Sequence, residues 1–145
     1  MTMTDRYCHT ATAEVAVDAE TAFTFMSDGI KQGQWALGSW ERRQVKQGLF
    51  VGISQFDYKE TYVQISADPV RLLVDYSVGR SPKALLPRNS ARIVPGPATK
   101  RNEKTCLVTL MTWRLADMAD EAWEQLCVTH ETEVFIIKGL LERGS

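Results

Sequence analysis

The feature that most constrains the fold is at the C-terminal end, where residues 118–143 carry apolar side chains at three- and four-residue steps: Trp123, Leu126/Cys127, Val134, Ile137 and Leu140/Leu141. That spacing gathers one face of a single long helix, and the face must be covered by something else in the chain. Asp117 is placed to cap the first turn. Asp120 and Glu121 sit at the positive end of the dipole, and Lys138 and Arg143 lie near the negative end before Gly144. Stepping from Cys127 to Val134 along the same row lands on His130, so a titratable ring points toward whatever the helix covers.

The rest of the chain supplies the covering surface. Tyr7 to Val17 alternates small or apolar residues with threonine and glutamate, as a half-buried strand does. Asp18 reads as the N-cap of a short helix that buries Ala22, Phe23, Phe25 and Met26, and a second short helix or turn, Ile30 to Leu37, carries Trp35. Strands follow at Trp40 to Lys46, Leu49 to Phe56, Glu60 to Ala67 and Arg71 to Gly79, with polar turns between them, the rhythm of an antiparallel meander. Arg80 to Asn89, with Pro82 and Pro87, reads as a loop or irregular flap, and Ser90 to Pro97 as a short edge strand. After the charged turn Ala98 to Lys104 comes a long strand, Thr105 to Arg114.

This order predicts an α+β chain: a curved antiparallel sheet of six to seven strands, two short helices after strand 1, and one long C-terminal helix packed across the sheet. A helix is about 10 Å across and six strands span more than about 25 Å, so one helix leaves part of the sheet uncovered. The two short helices can close the end of the space that remains, and aromatic side chains can line it.

Composition restricts the function classes. The 145 residues suit one domain, residues 1–145, with one sizeable core. Lys plus Arg (17) nearly balance Asp plus Glu (18), which leaves no global basic field for nucleic acid. The polar stretch Met1 to Tyr7 lacks the apolar core of a signal peptide, and no apolar run reaches the roughly 18 residues of a membrane span. Cys8, Cys106 and Cys127 lack C-x-x-C spacing and read as reduced, buried thiols in a cytoplasmic protein.

The opening TATAEVAVDAETAFTFMSD with Trp35 soon after, the strand pair around GLFVGISQFD, and the terminal HETEVFIIKGLLE resemble the START/SRPBCC superfamily. That is the helix-grip fold of pollen-allergen-type ligand carriers and polyketide cyclase/dehydrase-like proteins. The resemblance covers nearly the whole chain and implies a deep cavity between sheet and C-terminal helix, used for lipids, sterols or polyketides. It transfers no universal catalytic motif.

The residues themselves nominate a site. His130, with an ordinary pKa near 6.5, is suited to passing a proton to or from an enolisable ligand. Position 134 is Val134, so the second histidine of a zinc-protease helix is missing. His130 and Glu133 share a side at i, i+3, yet two ligands without a third make no metal site. Tyr76, on the inward row Leu72, Val74, Tyr76, Val78, offers a hydroxyl to a ligand or to His130, and Arg114 or Arg92 offers a planar fork to an anionic oxygen. Trp35, Leu126 and Val134 complete the candidate lining. Trp113 and Met111 line the pocket under one parity of their strand and its outer surface under the other. The run Glu41 to Lys46 reads as the solvated side of a strand.

The expected function is binding of a hydrophobic or aromatic small molecule, lipid-like or polyketide-like, with no cofactor. The alternatives are a cofactor-independent cyclase/dehydratase using His130 as acid/base and a protein-interaction domain of the co-chaperone type. Oligomeric state, a homodimer included, is left open.

Overall fold

The computed structural model describes residues 5–144; residues 1–4, the start of the polar leading stretch, and residue 145 lie outside the described residues. In chain order the elements are β1 (Cys8–Val15), α1 (Ala19–Met26), α2 (Gly29–Gln32), β2 (Trp40–Lys46), β3 (Leu49–Ile53), β4 (Glu60–Asp68), β5 (Leu73–Gly79), β6 (Leu86–Pro95), a 3-10 turn (Gly96–Thr99), β7 (Cys106–Trp113) and α3 (Asp120–Glu142). The strands form one seven-stranded antiparallel sheet in the order β1-β7-β6-β5-β4-β3-β2. β2 to β7 are a meander, and β1 crosses to the far edge to pair with β7, Val15 opposite Cys106 and Cys8 opposite Trp113.

Local chemistry accounts for most boundaries. The Asp18 side chain accepts the Thr21 N–H at 2.7 Å and starts α1, and Asp28 caps α2 through the Ile30 and Lys31 N–H groups. α2 is shorter than Ile30 to Leu37, and Trp35 sits in the turns that follow it. Asp117 does not cap α3: the N-cap is Ala119, with no side-chain bond, and Asp120 and Glu121 alone face the helix dipole.

The largest departure is β6. The segment read as a flap followed by an edge strand is a ten-residue interior strand held between β5 and β7. The two prolines lie toward its ends, where it pairs on one side only: Pro95 with Cys106 of β7, and Pro87 with Ser77 of β5 beside the register shift.

The inward face of the sheet carries Val15, Val63, Val74, Tyr76, Ala91, Ile93, Cys106, Val108 and Leu110. α3 lies chiefly along β1 and β7, presenting Val134, Ile137 and Leu141, while α1 packs on β6 with Phe25 and Met26. The C-terminal half of α3 thus closes on solid core. Between its N-terminal half and the inward residues of β4 and β5 a space remains. Among the described residues no helix is long and apolar enough to cross a membrane.

Candidate functional site

The space is a cavity of ≈ 150 Å³ between the N-terminal half of α3, the inward face of β4 to β7, and the segment from α2 to β2. α3 contributes Leu126, Thr129, His130 and Glu133, the i, i+3, i+4, i+7 set that one helical face must present together. The sheet contributes Thr61 and Val63 from β4, Tyr76 and Val78 from β5, and Leu110 from β7. Trp35 and Ala36 line it from the segment after α2, which is tied to α3 by the Leu37 N–H donating to Glu133 Oε2.

The inward parity of β7 is settled by burial. Cys106, Val108, Leu110 and Thr112 are all buried, and Trp113 is 42% exposed on the outer face. Trp113 is therefore not a lining residue. Arg114 is also outside: its guanidinium donates to the Met118 carbonyl at 2.8 Å and to Asp120 at 2.6 Å, bracing the start of α3. Arg92 is exposed. Val134 lies one residue past Glu133 and packs into the core cluster, below the cavity. Trp35, Tyr76, Leu126 and His130 do come together at the cavity.

Tyr76 is engaged differently from the expectation. Its hydroxyl donates to the Met26 carbonyl at 2.5 Å and so ties the end of α1 to β5, while its ring meets Trp35 edge-on, centroids 6.3 Å apart. Burial raises the phenol well above its ordinary range, so the ring stays neutral.

Two arginines that sequence reasoning left out also line the cavity. Arg42, assigned to a solvated strand side, is 8% exposed. The reason is a bulge: Glu41 and Arg42 oppose Gly52 alone, and Glu41 takes φ 51°, so the alternation that should have kept Arg42 outside is broken. Arg42 Nε donates to the Ser39 carbonyl at 3.0 Å and to Ser39 Oγ at 3.1 Å, and Nη1 donates to Gln32 Oε1. Arg88 is the extra residue of the register shift in β6, where Asn89 pairs with Tyr76 and Pro87 with Ser77. It is half-buried, and burial holds its guanidinium below the usual value.

The polar floor holds two titratable groups shifted in opposite senses. Glu133 is 5% exposed, and burial pushes its carboxyl up to about 8 even though Oε2 accepts the Leu37 N–H at 2.8 Å and Arg42 lies nearby. His130 is lowered to about 4, by burial first and then by His9 and Arg88. At neutral pH both are uncharged, so the 3.9 Å approach of His130 Nε2 to Glu133 Oε1 is a contact between a neutral imidazole and a neutral acid, not an ion pair. His9 is partly buried, with Nε2 3.2 Å from Glu131. Trp35 Nε1, Asn89 Oδ1 and His130 Nδ1 are buried without a hydrogen-bond partner among the described residues.

Glu133 was legible from the helical step out of His130. Arg42 and Arg88 left no such trace, because a bulge changes no residue type.

Sequence comparison matches the chain to no protein-family model and to no curated protein. Comparison of folds finds similar solved structures. A START superfamily protein from Mycobacterium smegmatis superposes with TM-score 0.71 at 14% identity, covering 96% of this chain and 99% of that one. The di-domain ARO/CYC protein BexL of the BE-7585A biosynthetic pathway gives TM-score 0.69 at 13% identity over 93% of this chain and 46% of its own. The Zhui aromatase/cyclase from Streptomyces sp. R1128 gives 0.60 at 15% identity over 94% and 93%. The superpositions extend over more than nine-tenths of this chain at these low identities, and with its seven-stranded antiparallel sheet and long closing helix the chain has the helix-grip fold, the fold of START and polyketide cyclase-like proteins.

Proposed function

We propose that the chain is a single ligand-binding domain whose cavity takes a compact hydrophobic or aromatic small molecule, about one ring in size. The observation that carries this reading is the cavity itself: ≈ 150 Å³, with Trp35, Ala36, Val63, Val78, Leu110 and Leu126 giving it apolar wall and polar groups such as Arg42, His130 and Glu133 set among them. Drug-sized ligands occupy pockets of about 300–1,000 Å³, whereas an apolar cavity of about 150 Å³ accepts benzene. A fused polyketide or a lipid chain therefore needs the space to widen, and a single ring does not. Free Cys8, Cys106 and Cys127 fit a reducing compartment, and we infer the cytoplasm.

The test is a thermal-shift series with toluene, indole, naphthalene and anthracene, alongside mass spectrometry of an organic extract of the purified protein. Toluene should raise Tm most, the fused bicycles indole and naphthalene less, and anthracene not at all. Ala36→Trp, which fills the space, should abolish the shifts; unchanged shifts in that variant would place the ligand elsewhere and end the proposal.

Cyclase or dehydratase chemistry is a second reading, favoured by the His130–Glu133 pair. At neutral pH the imidazole is free to accept a proton and the carboxyl holds one to give, the split that acid/base work uses. Under this reading His130→Ala and Glu133→Gln keep ring binding and lose turnover of an enolisable substrate; loss of binding instead assigns both residues to packing.

A further inference from the structure

We propose that the cavity selects a compact organic anion, a single ring bearing a carboxylate or phenolate oxygen, and holds that oxygen on the Arg42 guanidinium with Arg88 contributing from the half-exposed side. The inference rests on the ring-binding reading above and adds the charge of the ligand.

Arg42 and Arg88 both line the cavity, and neither makes an ion pair within 4.0 Å among the described residues. The hydrogen bonds of Arg42 all go to neutral oxygens, on Ser39 and Gln32, and Arg88 Nε donates only to the Trp113 carbonyl at 3.4 Å. Burying a guanidinium without a counter-charge is costly, and a charged partner that enters the same space recovers much of that cost. The Trp35 indole N–H, buried in the cavity wall without an acceptor, is a third donor on the same enclosure.

Glu133 is the one carboxyl among the lining residues. The groups facing it are Arg42 from β2, Tyr76 from β5, the Leu37 N–H and, on its own helix, His130, which in turn faces His9 and Arg88. With Glu133 protonated up to about pH 8 and the Tyr76 phenol and His130 imidazole neutral, no ionised acid lines the cavity; Asp117, outside the lining, is the acid that faces Arg88, and Arg42 has none besides Glu133. Each arginine enters at a bulge, a local break of the ladder that re-aims a side chain. A carboxylate can accept two parallel N–H bonds from a guanidinium and brings the opposite charge into the same space, whereas its amide offers one neutral acceptor, so the anion gains where the amide does not.

Calorimetric titration of the whole protein with benzoate, benzamide and benzyl alcohol at pH 6.5 and pH 9 tests this. Benzoate should bind at least tenfold tighter than either neutral probe at pH 6.5 and lose that preference at pH 9, where Glu133 ionises. Arg42→Gln should reduce benzoate at least tenfold, to the level of benzamide. Glu133→Gln should keep benzoate binding and remove its loss at pH 9. Should Arg42→Gln fail to fold, Arg88→Gln, with a several-fold loss for benzoate alone, and the pH comparison on the unmodified chain carry the test. Neutral probes binding as tightly as benzoate would overturn the charge selection and leave the ring-binding reading standing. A gain of tenfold or more in benzoate binding at pH 6.5 in Glu133→Gln would also overturn it, by showing that Glu133 is already ionised there and is the counter-ion of Arg42. Failure of all three probes would remove both readings.

Discussion

The Tyr76 hydroxyl gives its one proton to the Met26 carbonyl at 2.5 Å, at a side chain that is 1% exposed. Tyr76→Phe keeps the ring and its edge contact with Trp35 but strands a buried carbonyl at the end of α1. The expected loss is about 1–3 kcal/mol, the desolvation cost of an unsatisfied polar group, and urea unfolding reads it directly. A loss below about 0.5 kcal/mol would mean that the Met26 carbonyl finds another donor and that Tyr76 does not hold α1 to the sheet. If the hydroxyl served the ligand instead, Tyr76→Phe would weaken binding and leave stability alone.

On α3, depth rather than chemistry decides the effect of a substitution. Ile137 is fully buried against the sheet, and Ile137→Ala should cost about 2–5 kcal/mol. Phe135, two residues away and 72% exposed, should change stability by less than about 0.5 kcal/mol on replacement by alanine. Gly139 is open to either account at the level of sequence, close approach or tolerated defect. A Cβ built there meets no atom within 4 Å, so Gly139→Ala should stabilise by about 0.5–1 kcal/mol, and a destabilisation would point to a contact made only in solution. The helix itself was legible because a 3.6-residue period survives in any register, and the Asp18 cap because it is a local hydrogen bond. β6 was not: its prolines obey a rule about ladder bonds, and whether a ladder bond is needed at Pro87 depends on a bulge that only the neighbouring strand reveals. The same cause hid Arg42 and Arg88, so the apolar half of the cavity could be read from periodicity and the charged half could not.

For the molecule as a whole, the buried pair shapes stability against pH. Glu133 keeps its proton up to about 8 when folded and releases it near 4.5 when unfolded, so its contribution is full below 4.5 and falls away as pH rises toward 8. His130 titrates near 4 when folded and near 6.5 when unfolded, so its contribution is full above 6.5 and lost as pH falls toward 4. The two slopes offset each other between pH 4.5 and 6.5, and from 6.5 to 8 only the Glu133 slope remains. Stability should drop there by up to about 2 kcal/mol, at about 1.4 kcal/mol per pH unit for one proton. Denaturant midpoints across pH 5 to 9 measure the drop, and Glu133→Gln should flatten it. A profile equally steep in that variant would assign the slope to other groups.

The crossover of β1 to the β7 edge has a kinetic consequence. Among the described residues, 8–15 find their only strand partner at 106–113, so β1 must wait until that distant segment has been made before it can dock, whereas β2 to β6 can zip up hairpin by hairpin as they emerge. Closing so long a loop late is slow, and a ribosome-bound chain halted before residue 106 would leave Ala11 and Val15 searching for a surface not yet made.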